Sequence, residues 1–282
     1  MQVAFGVSLD SSVAAGELDV PVFPEAARKV IDACEKEDCD MRHLAEIVRR
    51  DPALAAQFLR LANSPAFGAR SAIVSLPQAL ARLGTSQTRQ IALLVSCQAG
   101  VFACAARKDE AHRLRTHAVA TAFWAQEIAR QRRMNVEEAF LCGLLEDVAM
   151  PTLWQLAAAV EKTSAPAAPG EVDLHLARLH DGVGADIAFR WGLPARVVAA
   201  IRLHHATPEA IAAAGGGVSL EATVATVQLA DTLAAATVEG KTTALEAVQA
   251  HASIATLSLY GSELEDLLAR SEIVLETMRA LS

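Results

Sequence analysis

The sequence predicts an all-α fold, a helical N-terminal lobe packed on a helical C-terminal lobe. Three observations lead there. The 282 residues are 52% hydrophobic yet only 4% aromatic, with alanine and leucine carrying the apolar content. Alanine costs least in a helix, whereas β-branched and aromatic residues dominate sheets. Apolar residues recur at three- and four-residue spacing in segment after segment, and no segment shows the alternation of a half-buried strand.

Residues 1–20 show little helical pattern and are expected as an N-terminal extension. Pro21 and Pro24 then stiffen the lead-in to the first lobe, residues 21–107. A helix is predicted over 25–38, with Ala26, Val30, Ile31 and Cys34 on one face. Asp40 is a side-chain cap for a helix over 41–50, whose stripe is Leu44, Ile47 and Val48. Asp51-Pro52 is a strong start signal, aspartate at the cap and proline at the first helical position. The helix it opens stops near Asn63-Ser64-Pro65. A loop containing Phe67 and Gly68 leads to Ser75-Leu76-Pro77 and a short helix ended by Gly84. A long apolar helix over 87–106 follows.

The second lobe, residues 108–240, opens with a helix over 109–132. Asn135 caps the next, Val136–Leu145, and Pro151 starts another that runs to about Glu161. Residues 163–171 form the clearest loop. Helices are expected over 173–180, 182–191 and 194–205, and, past the break at Gly215-Gly216-Gly217, over 221–237. Residues 241–282 carry helical pattern at 242–257 and 263–281 and are expected to pack on the core.

The longest apolar stretch, Ile91 to Ala106, is interrupted by Ser96, Gln98 and Gly100 and falls short of the roughly 20 residues a bilayer span needs. It reads as a core helix. The N-terminus is acidic where a leader would be basic, so a cytoplasmic protein is expected. Five cysteines, none in Cys-x-x-Cys, read as buried reduced thiols. The net charge of −8 is uneven: −6 over residues 1–40, +9 over 41–133 and −11 over 134–282. A basic middle between acidic ends serves either a partner or internal complementarity between lobes. The second is favoured, because no aromatics interleave with the arginines as a single-strand groove requires. Nucleic-acid binding is the weakest of the classes considered.

Five loci could carry chemistry. His117 lies on an amphipathic helix, Glu146-Asp147 ends the run from Phe140 to Leu145, and His180 precedes Val183-Gly184. His204-His205 closes a helix, and Asp231 sits alone in the apolar run Val227 to Leu233, where an unpaired carboxylate is costly. Each has an ordinary structural role open to it. Histidine and carboxylate together suit Fe, Mn, Zn or Ni.

In order and spacing, His117, Glu146-Asp147, His180, His204-His205 and Asp231 resemble the HD superfamily of helical metal-dependent phosphohydrolases. The segments Val20-Pro-Val-Phe-Pro24, Asp51-Pro-Ala-Leu through Leu61-Ala-Asn-Ser64, Phe67-Gly68, Ser75-Leu-Pro77 through Gly84, and Gly192-Leu-Pro194 narrow the resemblance to the HDOD branch over about residues 20–237. The resemblance implies an HD-like C-terminal lobe and a bacterial signalling or regulatory module, non-catalytic and acting through a protein partner. It implies His117, the doublet and Asp231 as ligands of a first metal, with His180, His204 and His205 available for a second. Asn63, Ser64, Phe67 and Gly68 are the partner-surface candidates. Two departures bear on activity. The family doublet is His-Asp, and here glutamate stands at 146, which leaves a hard ligand but changes site charge. No Gly-Tyr-Pro follows His204-His205, which argues against cyclic-dinucleotide hydrolysis. The alternative is a metal-dependent phosphohydrolase with a degenerate site. No cofactor is implied outright beyond a divalent Mn, Fe, Mg or Ni ion there.

Overall fold

The computed structural model describes residues 4–34, 39–67, 72–105, 107–239 and 248–281. Among these, every regular element is an α-helix apart from one 3₁₀ turn, Pro65–Phe67. The first part comprises α1 (Phe5–Ala14), α2 (Glu25–Cys34), α3 (Met41–Arg49), α4 (Pro52–Ala62) and α5 (Leu76–Ala99). The second comprises α6 (Lys108–Gln131), α7 (Val136–Leu145), α8 (Met150–Val160), α9 (Glu171–Arg190), α10 (Ala195–Leu203), α11 (Pro208–Ala213) and α12 (Gly217–Glu239). Three short helices close the chain: α13 (Ser253–Leu257), α14 (Ser262–Leu268) and α15 (Ser271–Leu281).

Local chemistry sets many of these boundaries. Asp40 accepts from the Arg42 amide, Asp51 from those of Ala53 and Leu54, and Asn135 from those of Glu137 and Glu138. Each such cap is worth about 1 kcal/mol. Gly84 interrupts α5 with φ 77° and ψ 170°, a conformation that only glycine adopts freely. The Thr88 hydroxyl donates to its carbonyl at 2.7 Å.

Several boundaries differ from the sequence expectation. Residues 1–20 contain α1, because Phe5 and Leu9, one turn apart, are buried against α8 and α9. Ser8 between them and Asp10, Ser11 and Ser12 after them hide that stripe in the sequence. The helices expected over 173–180 and 182–191 are one, α9; Gly182 and Gly184 do not break it. At Gly184 a β-carbon would come within 3.0 Å of Ile201, so the glycine serves close packing of α10 on α9. The long apolar helix stops at Ala99 rather than 106, and α11 is an additional turn, started by the Thr207 side chain on the Ala210 amide. The segment 263–281 divides into α14 and α15. Residues 35–38 and 240–247, where helix was expected in part, lie outside the described residues.

Two close packings build the second lobe. Helix α6 lies between α7 and α12. At Gly143 of α7 a β-carbon would fall 2.8 Å from the Thr121 carbonyl of α6, so the two backbones almost touch. On the other side, the buried Trp124 of α6 donates its Nε1–H to the Thr237 hydroxyl of α12 at 2.9 Å. Helix α5 joins the lobes by packing on α2, α3 and α4 and also on α7, while α15 folds back over α4, the 3₁₀ turn and α6. The basic middle meets the acidic C-terminal part through Arg89–Glu137, Arg107–Asp173 at 3.9 Å and Arg132–Glu263 at 3.3 Å. Among the described residues no helix is long and apolar enough to cross a membrane.

Candidate metal centre

The packing of α6 between α7 and α12 brings three distant residues together. His117 of α6, Glu146 at the end of α7 and Asp231 of α12 offer ligand atoms within 4.8 Å of one another. His117 Nε2 lies 2.7 Å from Asp231 Oδ1 and 3.8 Å from Glu146 Oε1. Beside this group, His180 of α9 meets His204 and His205, the two residues that follow α10, in a second set of the same compactness. Asp147, adjacent to Glu146, faces that set, 3.4 Å from His180 Nε2 and 4.0 Å from His204 Nε2. All seven residues singled out in the sequence thus lie in one neighbourhood.

The hydrogen bonds fix which nitrogen of each buried ring is free. His180 donates from Nδ1 to the Ala177 carbonyl at 2.8 Å, and His204 from Nδ1 to the Ile201 carbonyl at 2.6 Å. A ring whose Nδ1–H is so committed leaves an Nε2 lone pair for a metal. These two Nε2 atoms face each other 3.2 Å apart. Facing lone pairs repel unless a cation, proton or metal, lies between them. Burial, then the charge of His205, holds the His204 imidazole below its usual pKa, which favours its neutral, ligating form.

The carboxylates point the same way. Glu146 is 1% exposed, and neither of its carboxyl oxygens has a hydrogen-bond partner. Burial, then the charges of Asp231 and Asp147, pushes its carboxyl well above the ordinary value. Its ionised form therefore requires a cation in contact. Asp231 is held below its ordinary value despite its burial, because the His117 hydrogen bond and charge outweigh desolvation. The donor set of four imidazoles and three carboxylates fits a centre for one or two divalent ions. A groove of about 260 Å³ opens onto Asp147, His180 and His205 and is also lined by Leu114, Met150, Leu176, Ala177 and Asp173.

One residue here escaped the sequence reading. Burial holds His251, ahead of α13, below its usual pKa against the opposing charge of Asp231. A lone histidine in an alanine-rich segment carries no signal of this. The residues suggested for a partner surface lie elsewhere. Asn63 commits its amide internally, donating to the Leu59 and Ile73 carbonyls at 2.8 Å each and accepting from the Ile73 amide at 2.7 Å. Ser64 is buried, and Phe67 is half-buried in the turn over which α15 folds. Gly68 lies outside the described residues.

The HDOD domain family matches residues 20–207. The chain belongs to the HDOD family. A solved HDOD domain protein of unknown function from Geobacter sulfurreducens superposes with a TM-score of 0.69 at 21% identity, over 98% of this chain and 96% of that one. A Shewanella amazonensis SB2B structure, named as a proposed metal-dependent phosphohydrolase, gives 0.66 at 17% identity over the same shares. A Marinobacter aquaeolei VT8 structure, named as a proposed signal transduction protein, gives 0.61 at 20% identity, over 100% of this chain and 62% of that one. An uncharacterized Treponema pallidum (strain Nichols) protein is 28% identical over 213 residues, 72% of this chain. The HDOD chain described here spans 40% of that relative's length.

Proposed function

We propose that this HDOD protein is a regulatory module of bacterial signal transduction that acts through a protein partner, and that its metal centre is not hydrolytic. His117, Glu146 and Asp231 would hold one divalent ion, and His180, His204 and His205, with Asp147 beside them, a second. When bound, such an ion supplies the positive charge that three clustered carboxylates lack, and it cross-links α6, α7, α9, α10 and α12. The chain's own residues do the rest: the Ala177 and Ile201 carbonyls orient the imidazoles, and burial of Glu146 keeps water from one side of the centre.

The observation that carries the non-hydrolytic reading is the mouth. The groove onto the centre is lined by aliphatic side chains, two histidines, Asp147 and Asp173, with neither lysine nor arginine among its lining residues. Phosphoryl-transfer sites use placed cations to hold the phosphate and to balance charge in the transition state. Arg107, 3.9 Å from Asp173, is engaged by that carboxylate, so an incoming phosphoester meets an ion pair rather than a free cation. The glutamate at 146 adds a further negative charge where the HD doublet has an imidazole.

The test is a hydrolysis screen of Mn-, Fe-, Mg- and Ni-loaded protein against nucleotides and simple phosphoesters. The expected result is no turnover above that of the Asp147→Ala variant. Metal-dependent turnover lost in Asp147→Ala would overturn the proposal and establish a phosphohydrolase.

A further inference from the structure

A second site lies apart from the metal centre, where the lobes meet. A cavity of about 490 Å³ opens between α2 and α5 on one side and α7 and the start of α10 on the other. That volume is within the roughly 300–1,000 Å³ usual for small-molecule sites. Its walls are aromatic: Phe23 and Trp191 meet edge to face at 5.4 Å, and Phe140 also lines it. Such walls suit a flat ring.

Two polar groups there lack partners. Gln90 is 4% exposed, and neither its side-chain oxygen nor its nitrogen is hydrogen-bonded. A buried amide left so is destabilising, and a glutamine's side-chain torsions let it turn toward a ligand. Its carboxamide presents a donor beside an acceptor, and the complementary edge belongs to an amide or an amidine, as on a nucleobase. Next to it, Arg89 is paired with Glu137 through one terminal nitrogen while its Nε stays buried and unbonded.

Charge narrows the class. Arg89 is neutralised by Glu137, and Glu138 pairs with Arg196 at 3.2 Å. Among the lining residues that leaves one cation, Arg28 stacked on Phe23 at 5.1 Å, beside one anion, Asp32. There is no surplus of positive charge to hold a phosphate, and Asp32 suits hydroxyl groups. We propose that the interlobe cavity binds a nucleobase or nucleoside, its hydrogen-bonding edge on Gln90 and its ring against Phe23, Phe140 and Trp191. A ligand seated there touches both lobes and so couples its presence to their packing.

Calorimetric titration with adenosine, guanosine, cytidine and uridine tests this, with adenosine monophosphate as the charged comparison. At least one nucleoside should bind with a submillimolar Kd and more tightly than the monophosphate. Gln90→Leu should weaken it at least about tenfold, since the complementary edge then loses its partner. That variant should melt no lower than wild type, because two unpaired polar atoms are removed. Arg89→Lys, which keeps the charge and deletes Nε, should weaken binding as well. Failure of all four nucleosides to bind the wild-type protein, or equal binding by Gln90→Leu, would overturn the proposal. Neither result bears on the metal centre, whose ligands are on other helix faces.

Discussion

Gly143→Ala separates the packing that builds the centre from the chemistry of its ligands. The added β-carbon would sit 2.8 Å from the Thr121 carbonyl oxygen and 3.1 Å from the Ala122 Cα. Both obstacles are backbone, so α7 has to move away from α6. Overpacking of this kind costs about 1–3 kcal/mol, and replacing a mid-helix glycine by alanine returns roughly 0.8–1 kcal/mol. The net loss is up to about 2 kcal/mol, a fall of up to roughly 4 °C in melting temperature for a chain of this size. Because His117 rides on α6 and Glu146 on the end of α7, the same shift opens the 3.8 Å approach between them. Metal affinity should fall although no ligand is changed. Gly182→Ala is the control: its β-carbon would meet only Arg202 Nη1, at 3.9 Å, so it should stabilise by up to about 1 kcal/mol. Thermal unfolding of both variants, with and without added Mn, reads this out. A Gly143→Ala protein as stable and as metal-competent as wild type would refute the argument that α6–α7 contact sets the site.

Three other predictions follow from single contacts. Asn63→Ala removes three hydrogen bonds, two of them tying the end of α4 to residue 73, and should cost roughly 1–3 kcal/mol in denaturant unfolding; an unchanged midpoint would free Asn63 for a partner-binding role. Burial pushes the Cys34 and Cys97 thiols up to about 12 and raises Cys142 further, so at pH 8 Ellman's reagent should react promptly with Cys39 alone and with all five thiols only after denaturation. Glu146→Gln should leave the metal-free melting temperature nearly unchanged, because burial already disfavours the charge that glutamine removes, while lowering Mn affinity at least about tenfold in a binding titration.

The helices were legible where a local rule wrote them. Asp40, Asp51 and Asn135 cap where a side-chain oxygen was expected to, and Gly84 breaks the chain where its positive φ requires glycine. Legibility failed where a decision was tertiary. Phe5 and Leu9 make a helix because α8 and α9 cover them, which no property of the first 20 residues reports. The sequence divides α9 into two helices, yet it is continuous, and α10 approaches Gly184 so closely that a small residue is needed there. The same division runs through the centre. Its seven residues could be found by order and spacing, since ligand types are conspicuous in apolar runs. The family resemblance also implied a first set around His117 and a second around His180. It did not imply that Asp147 turns to the second set rather than the first, because that follows from how α6, α7, α9, α10 and α12 cross. The orphaned Gln90 amide was invisible for the same reason: a glutamine is polar in any sequence, and only packing decides whether it finds a partner.

The central claim is that the seven clustered residues form a competent divalent-metal centre. Elemental analysis of protein purified without a histidine tag, wild type beside Asp147→Ala, tests it most directly. The account predicts near-stoichiometric divalent metal in the wild type and its loss in the variant. No metal in either protein, with the fold intact, would contradict it and leave His180, His204 and Glu146 as parts of the core alone.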